Sequence, residues 1–243
     1  MNLFAQHRDS EKVRASDFEY HLRRLRSLID TLSQKDRTLT SWYLQGDSVS
    51  EALRFNVYIG SEPSAAAVAE LHDEYKGKVA DVPRSVGIWN GMESADEGAT
   101  AYVSFDGGNV LSQTVDLMFN EKGAGFSRLG NYKDAADVVA KAVEVYEPFY
   151  TSFGPRKYSK KAVFEDRPGA SWMLYLPHVL TSRQVPEARD LIPVLRDGNQ
   201  QGTIIVSVTD AVFDFKNRDH VKAANEIEVR LADQDLLPRF VDL

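Results

Sequence analysis

The stretch TAYVSFDGGNVLSQTVDLMF, residues 100–119, indicates the fold class of this chain. Apolar and polar residues alternate on both sides of a glycine-rich centre, which is the period of a half-buried strand. The pattern predicts strands over residues 100–105 and 110–119. Between them, DGGN at 106–109 has the composition of a tight turn, because glycine adopts the positive φ angles that such turns need. A tight turn between adjacent strands implies antiparallel pairing, so we expect an antiparallel sheet.

Helical segments flank this predicted hairpin. Residues 16–34 place apolar side chains at helical spacing, and Ser16 with Glu19 has the spacing of a capping box. Similar patterns predict further helices at 62–76, 132–147, 187–195 and 218–231, a short one after Ser48, and strands at 39–45, 86–89, 172–176 and 203–209. Pro193 should end or kink the helix at 187–195. The order of elements favours an α+β fold, in which an antiparallel sheet packs with several helices.

One domain is predicted over residues 1–243, since the sequence contains no internal repeat and no low-complexity linker. The candidate boundary is the basic, turn-rich stretch at 151–170, which we interpret as a long loop within the domain. A true linker at this position is the alternative. Flexibility is expected only in residues 1–15.

The composition excludes several classes of protein. A hydrophobic fraction of 43% and a charged fraction of 27% are those of an ordinary globular protein. The net charge of −7 argues against nucleic acid or an anionic membrane as the main partner, but it permits a basic protein partner. Without cysteine the chain has no disulfide and no thiolate metal ligand. Because no signal-peptide core and no run of about 18 apolar residues is present, we expect a cytoplasmic location.

No catalytic or metal-binding motif is found in the sequence. The five histidines form neither H-x-x-H nor H-E-x-x-H, so no helix presents two imidazoles to one metal ion. The glycines of GAGFSRLG, at 123–130, depart from the G-x-G-x-x-G spacing of a dinucleotide-binding loop and favour a strand-to-helix connection. We therefore predict a protein that is not an enzyme and that has no cofactor and no metal site.

A metal-dependent phosphodiesterase is the alternative function. Asp197 and Asp214 could hold Mg²⁺, and Lys216 could polarise the scissile phosphate, which is what such cleavage requires. The pattern of an acid two residues before a lysine is not specific, because Glu74-Tyr75-Lys76 matches it too.

Negative charge is concentrated in one quarter of the chain. Residues 90–150 carry ten acidic and four basic side chains, whereas residues 1–40 carry six acidic and eight basic ones. The loop NGMESADEG, at 90–98, contributes Glu93, Asp96 and Glu97 between two predicted strands. A solvated loop is one interpretation of this cluster. The other is an acidic docking surface that mimics phosphate and attracts a basic partner, and these three residues are the candidate partner-binding residues.

The three tryptophans, Trp42, Trp89 and Trp172, all fall in predicted strands. Core packing is the default expectation for each of them. A tryptophan that faces a partner is the alternative, since such residues often dominate the binding energy of interfaces.

The N-terminal third resembles the immunity protein 52 family of bacterial polymorphic-toxin systems. The resemblance rests on the helix FEYHLRRLRSLIDTLS at 18–33, the element WYLQG at 42–46 and the short helix that begins SEAL at 50–53. Trp42 matches a tryptophan that is characteristic of the family, and its expected role is structural.

This resemblance implies a function by protein binding. Members are α+β proteins encoded beside toxins that carry a nuclease domain, some of them delivered by type VI secretion. The chain is then expected to be an immunity protein, or antitoxin, that occludes a cognate secreted nuclease toxin encoded by an adjacent gene. Neither direct nucleic-acid binding nor membrane binding is expected. A scaffold protein without a toxin partner is a further alternative.

Overall fold

The computed structural model describes residues 1–78, 83–94, 96–106, 112–121 and 127–243. The strands are β1 Asn2–His7, β2 Tyr43–Leu44, β3 Tyr58–Ile59, β4 Glu62–Pro63, β5 Arg84–Trp89, β6 Ala99–Asp106, β7 Gln113–Phe119, β8 Tyr150–Gly154, β9 Met173–Leu176, β10 Asp190–Arg196 and β11 Asn199–Val206. The α-helices are α1 Glu11–Arg14, α2 Phe18–Lys35, α3 Val49–Ala52, α4 Ala65–Glu74, α5 Tyr132–Tyr146 and α6 Arg218–Asp233. Short 3₁₀ helices span Arg37–Leu39, Arg156–Lys160 and Phe240–Asp242.

Nine strands form one sheet in the order β10-β11-β9-β8-β1-β7-β6-β5-β2, and every neighbouring pair is antiparallel. The α+β class predicted from the sequence is therefore confirmed. The strands β6 and β7 pair as expected from their alternating residues. The turn predicted at 106–109 lies largely outside the described residues, as do Val110 and the glycines at 123 and 125.

The two halves of the sheet are buried to different extents. In β7, four buried residues alternate with three half-buried ones, so one face of this half carries the core and the other is partly open. In β9, all four residues are buried, so both faces are covered. The helix α5 packs against α2 and against the strands β1, β8, β9, β10 and β11. Its apolar stripe of Val139, Ala142 and Val143 fills the space between them.

The predicted helix at 187–195 is wrong, because this segment contains the edge strand β10. Pro193 pairs with Thr203 of β11. A proline lacks the N–H that a helix interior needs, whereas an edge strand tolerates it. The apolar run around Pro193 was therefore a strand signal.

The N-terminal residues, for which flexibility is expected, contain a strand in the structure. The strand β1 lies between β8 and β7, and Leu3 and Ala5 are fully buried on its inner face. The expected long loop at 151–170 also contains regular structure, since it begins in β8 and continues through the 3₁₀ helix Arg156–Lys160. The strands β1 and β8 were missed because they pair with strands that are distant in sequence, and such pairing leaves little trace in a window of five or six residues.

Helix starts were predicted with mixed success. Ser48 caps α3 as expected, and its Oγ accepts a hydrogen bond from the Glu51 N–H at 3.3 Å. The cap of α2 is Asp17, not Ser16, because the Asp17 carboxylate accepts the Glu19 N–H at 2.7 Å. The strand predicted at 39–45 is shorter in the structure, where it consists of β2. No described helix is both long and apolar enough to cross a bilayer.

Candidate partner-binding surface

The candidate surface lies at the β2 end of the sheet, and we call it the acidic edge. It consists of the loop 90–98, between β5 and β6, and a neighbouring cleft of about 680 Å³. The carboxylates that line the cleft are Asp47, Glu51, Glu70 and Glu74. The loop could be predicted from the sequence, but the cleft could not, because the residues that line it come from four separate segments of the chain.

All three predicted partner-binding residues lie on the loop. Glu93 and Asp96 are exposed, and Glu97 is half-buried. In the part of the chain that the structure describes, neither Glu93 nor Asp96 forms an ion pair. Their negative charge is therefore directed to solvent, where a cationic partner could reach it.

A buried asparagine holds both ends of the loop. The Nδ2 of Asn90 donates hydrogen bonds to the carbonyl of Thr38 at 3.0 Å and to the carbonyl of Glu97 at 2.8 Å. Its Oδ1 accepts the N–H of Ala99 at 2.8 Å. Asn90 is 1% exposed, so these bonds are shielded from water. The loop is consequently tied to itself and to the segment that follows α2.

The side chain of Arg128 is fully buried beneath the loop. Its Nε donates to the Asp36 carboxylate at 2.7 Å and one terminal nitrogen donates to the carbonyl of Gly98 at 3.2 Å. The other terminal nitrogen donates to the hydroxyl of Thr38 at 2.6 Å. Burial alone would raise the pKa of Asp36, but the hydrogen bonds from Arg128 and Thr38 outweigh it and hold that pKa below its usual value. The pair remains ionised and fixes the loop.

The loop and the cleft are joined through close packing at Gly91. This residue has a φ of +78°, and a Cβ there would lie 2.7 Å from Cε2 of Tyr43 and 3.5 Å from Cδ2 of Leu53. Glycine is therefore required both by the backbone and by the space. Leu53 follows α3, whose Glu51 lines the cleft, so packing at Gly91 connects the loop to the segment that carries a cleft carboxylate.

Apolar side chains are exposed among the carboxylates. Leu53 is 44% exposed, Tyr102 is 45% exposed, and Met92 and Val49 are also exposed. Tyr102 lines the cleft, and Met92 belongs to the loop. Interfaces often combine such apolar anchors with a charged rim.

The cleft carboxylates are largely without cationic neighbours. Among the described residues, the one ion pair made by this group is that of Glu74 with Lys78 at 3.4 Å. Arg54 also lines the cleft, but it forms no ion pair with the described carboxylates. The cleft thus extends the negative potential of the loop across the sheet edge.

The tryptophans have structural positions. Trp42 is fully buried and its Nε1 donates to the carbonyl of Leu39 at 2.8 Å. Trp172 is also buried and its Nε1 donates to the carbonyl of Val208 at 2.9 Å. The core-packing expectation is confirmed for both. Trp89 is half-buried in β5, next to the acidic loop.

The residues of the alternative phosphodiesterase site lie in different elements. Asp197 occupies the turn between β10 and β11, with a φ of 50°. Asp214 lies before α6, where its carboxylate accepts the Lys216 N–H at 2.9 Å. Within the described ranges, no group of three or more histidine, aspartate or glutamate side chains could hold a metal ion. The structure therefore gives this alternative no metal-binding cluster.

A buried polar cluster, which sequence reasoning missed, joins β1 to α2. The Asp9 carboxylate lies 3.3 Å from His7 Nε2 and 2.6 Å from Arg24 Nη1. Burial acts to raise the pKa of Asp9, but the neighbouring His7 imidazole and the hydrogen bond from Arg24 lower it to about 2. Burial lowers the pKa of His7 and lowers that of His21, which stacks on Phe105, to about 4. This cluster belongs to the core and not to the acidic edge.

Comparison with known proteins identifies the family. The family model described as Immunity protein 52 matches residues 12–239. The chain belongs to this family. A solved structure, "Pseudomonas aeruginosa T6SS protein PA0821", is similar with a TM-score of 0.49 and 10% sequence identity, covering 99% of this chain and 86% of that one. A search among curated proteins gives no match. The resemblance found in the N-terminal third thus extends over nearly the whole chain, and the protein is an immunity protein.

Proposed function

We propose that this immunity protein binds and occludes a cognate nuclease-type toxin through the acidic edge. The observation that carries the proposal is the loop of exposed carboxylates held rigidly over the buried Arg128 and Asn90. A nuclease must hold the phosphates of its substrate with cationic side chains. A fixed array of carboxylates presents those cations with the same kind of charge as the phosphates do.

The two parts of the acidic edge would contribute differently. The carboxylates attract a cationic surface over a distance and so raise the rate of association. The exposed apolar side chains Leu53, Met92 and Tyr102 would supply contact area and slow dissociation. Because the loop is already braced, little conformational freedom is lost when the complex forms.

The setting proposed for this inhibition is the cytoplasm of the producing cell and its kin. A toxin delivered by type VI secretion or another polymorphic-toxin system would be neutralised where its nucleic-acid substrate lies. The toxin gene is expected beside the gene of this protein. The protein itself would act by binding, without a catalytic step.

The first experiment is co-expression with the product of the adjacent gene. We expect the neighbour alone to stop growth, the pair to restore it, and the two proteins to elute together on size exclusion. Absence of toxicity together with absence of a complex would contradict the proposal.

The surface is tested by charge reversal in the same assay. The triple variant Glu93→Lys, Asp96→Lys, Glu97→Lys should lose protection and bind the toxin at least tenfold more weakly. The control triple variant Glu11→Lys, Glu165→Lys, Asp242→Lys changes net charge equally at exposed positions elsewhere. It should protect as the wild type does. If both triple variants behave alike, the acidic edge is not the binding surface.

A further inference from the structure

A second surface, of opposite charge, lies along the outer face of α6. It is a groove of about 850 Å³ between α6, the loop before it and the end of the 156–161 segment. We call it the basic groove and define it by Lys161, Phe215, Lys216, Arg218, Val221, Lys222, Asn225, Val229 and Arg230, with the acidic residues Glu187, Glu226 and Asp233 on its rim. It takes no part in the surface proposed above.

The floor of the basic groove is apolar. Phe215 and Val221 are half-buried, and Val229 is 41% exposed. These three apolar side chains therefore remain accessible to solvent in a chain that has many polar residues. Val221, Asn225 and Val229 recur every fourth residue, so they form one stripe along the helix. From Val221 to Val229 this stripe is about 12 Å long.

The cations are distributed unevenly along this stripe. At the start of α6, the ammonium groups of Lys157 and Lys216 lie 5.8 and 6.0 Å from the Phe215 ring. In the described part of the chain, no carboxylate forms an ion pair with either of these lysines, with Lys161 or with Arg218. Farther along, the cations are compensated: Lys222 lies 3.7 Å from Glu226, and Arg230 lies 2.6 Å from Glu187. Unneutralised positive charge is thus confined to the N-terminal half of the groove.

The wall of the basic groove is fixed to α6 by a buried carboxylate. Glu228, 1% exposed, accepts hydrogen bonds from the Tyr158 hydroxyl at 2.6 Å, from the Val163 N–H at 2.7 Å and from the Ala170 N–H at 2.8 Å. Tyr158 also contacts Asn225 at 2.8 Å. These hydrogen bonds hold the two sides of the groove together, so the sides cannot separate without breaking them.

From these observations we infer that the basic groove binds an acidic, amphipathic peptide segment of a protein partner. Its carboxylates would pair with Lys161, Lys216 and Arg218, and its apolar side chains would cover Val221 and Val229. A nucleic-acid strand fits less well, because its evenly spaced phosphates would meet Glu187, Glu226 and Asp233 at the far end. A peptide can place its acids at one end only. This inference does not depend on the acidic edge or on the identity of the toxin.

The test is selection of a displayed library of random 16-residue peptides on the purified full-length protein. We expect the enriched peptides to share a block of glutamate or aspartate followed by apolar residues at helical spacing. Enrichment of sequences without that acidic block, or no enrichment, would overturn the inference.

The enriched peptide, made with a fluorescent label, then locates the site by fluorescence anisotropy. The variant Lys161→Glu, Lys216→Glu, Arg218→Glu should weaken binding at least tenfold, and Val229→Asp should weaken it independently of charge reversal at the lysines. The control variant Lys12→Glu, Lys76→Glu, Lys133→Glu alters three exposed lysines outside the groove and should bind normally. Equal loss in the two triple variants would overturn the inference. So would tighter binding of a 16-nucleotide single-stranded DNA than of the peptide.

Discussion

The acidic edge exposes negative charge and has an arginine buried beneath it, whereas the basic groove exposes positive charge and has a glutamate buried beside it. Under the acidic loop lies the guanidinium of Arg128, paired with Asp36. Beside the basic groove lies the carboxylate of Glu228, which accepts three hydrogen bonds. Each buried group makes several hydrogen bonds, and the charge of Arg128 is balanced by Asp36. In both places a buried, hydrogen-bonded side chain fixes the segment that carries the exposed charge.

The largest effect is expected from removing the buried cation. Arg128→Ala removes the ion pair with Asp36 and the hydrogen bonds to two backbone carbonyls, so we expect a loss of about 3–5 kcal/mol in the free energy of unfolding. Urea denaturation followed by circular dichroism measures it. Arg23→Ala, which removes an exposed arginine bonded to Glu19 and Glu62, is the control and should change little. Similar losses in the two variants would mean that Arg128 does not support the acidic edge.

Removing the buried carboxylate should have the next largest effect. Glu228→Leu leaves the Val163 and Ala170 N–H groups without an acceptor, at about 1–3 kcal/mol each, and we expect a total loss of about 3 kcal/mol. Glu228→Gln keeps acceptor oxygen and should lose less. It should also still bind the groove peptide, whereas Glu228→Leu should not. Unchanged peptide binding by a folded Glu228→Leu variant would show that the groove does not depend on this carboxylate.

Burial raises the pKa of Glu228, so the contribution of this residue to the free energy of unfolding should depend on pH. Because the folded-state pKa exceeds the unfolded value, the associated stabilisation is present at pH below the unfolded pKa and is lost as pH rises through the folded one. Glu228→Gln cannot titrate, so the difference in stability between it and the wild type should change across that window. Parallel stability profiles for the two proteins would contradict this assignment.

Acid should weaken the buried cluster that contains His7 and His21. Burial lowers the pKa of His21 to about 4 from 6.5, so the unfolded chain binds a proton more readily as pH falls below 6.5. This histidine alone should cost about 2 kcal/mol between neutral pH and pH 5, and His7 shifts in the same direction. Urea midpoints across this range should fall in the wild type and fall less in His21→Gln. A wild-type midpoint that does not change with pH would show that the buried histidines do not titrate on unfolding.

The smallest effect is expected on the kinetics of toxin binding. Screening with salt should lower the association rate of the wild type with its toxin, since the acidic edge attracts its partner over a distance. The triple lysine variant of Glu93, Asp96 and Glu97 should associate about tenfold more slowly at low salt. Its rate should fall less than that of the wild type as salt is added, because the cleft carboxylates remain. Stopped-flow mixing at several ionic strengths measures both, and equal salt dependence in the two proteins would place the steering charge elsewhere.

Much of the fold could be predicted because local patterns agree with it. The alternation around β6 and β7 and the apolar stripes of α2, α5 and α6 are set by residues close in sequence. The misassigned strand β10 pairs with the next strand, β11, across the turn Asp197-Gly198, and that local hairpin signal was not used. The missed strand β1 pairs with β7 and β8, which are both distant in sequence. Pairing of this kind leaves little trace in a window of six or seven residues.

The candidate surfaces also combine features set by neighbouring residues with features set by long-range contacts. The sequence by itself determined the α+β class, the amphipathic helices, the family and the acidic loop with Glu93, Asp96 and Glu97, because each is a property of neighbouring residues. Only the tertiary structure decided which charges are neutralised and which are not. It brings Arg128 to Asp36 across 92 positions and Glu228 to Tyr158 across 70. Long-range contacts of this kind depend on the packing of whole elements, and the packing also forms the acidic cleft and the basic groove.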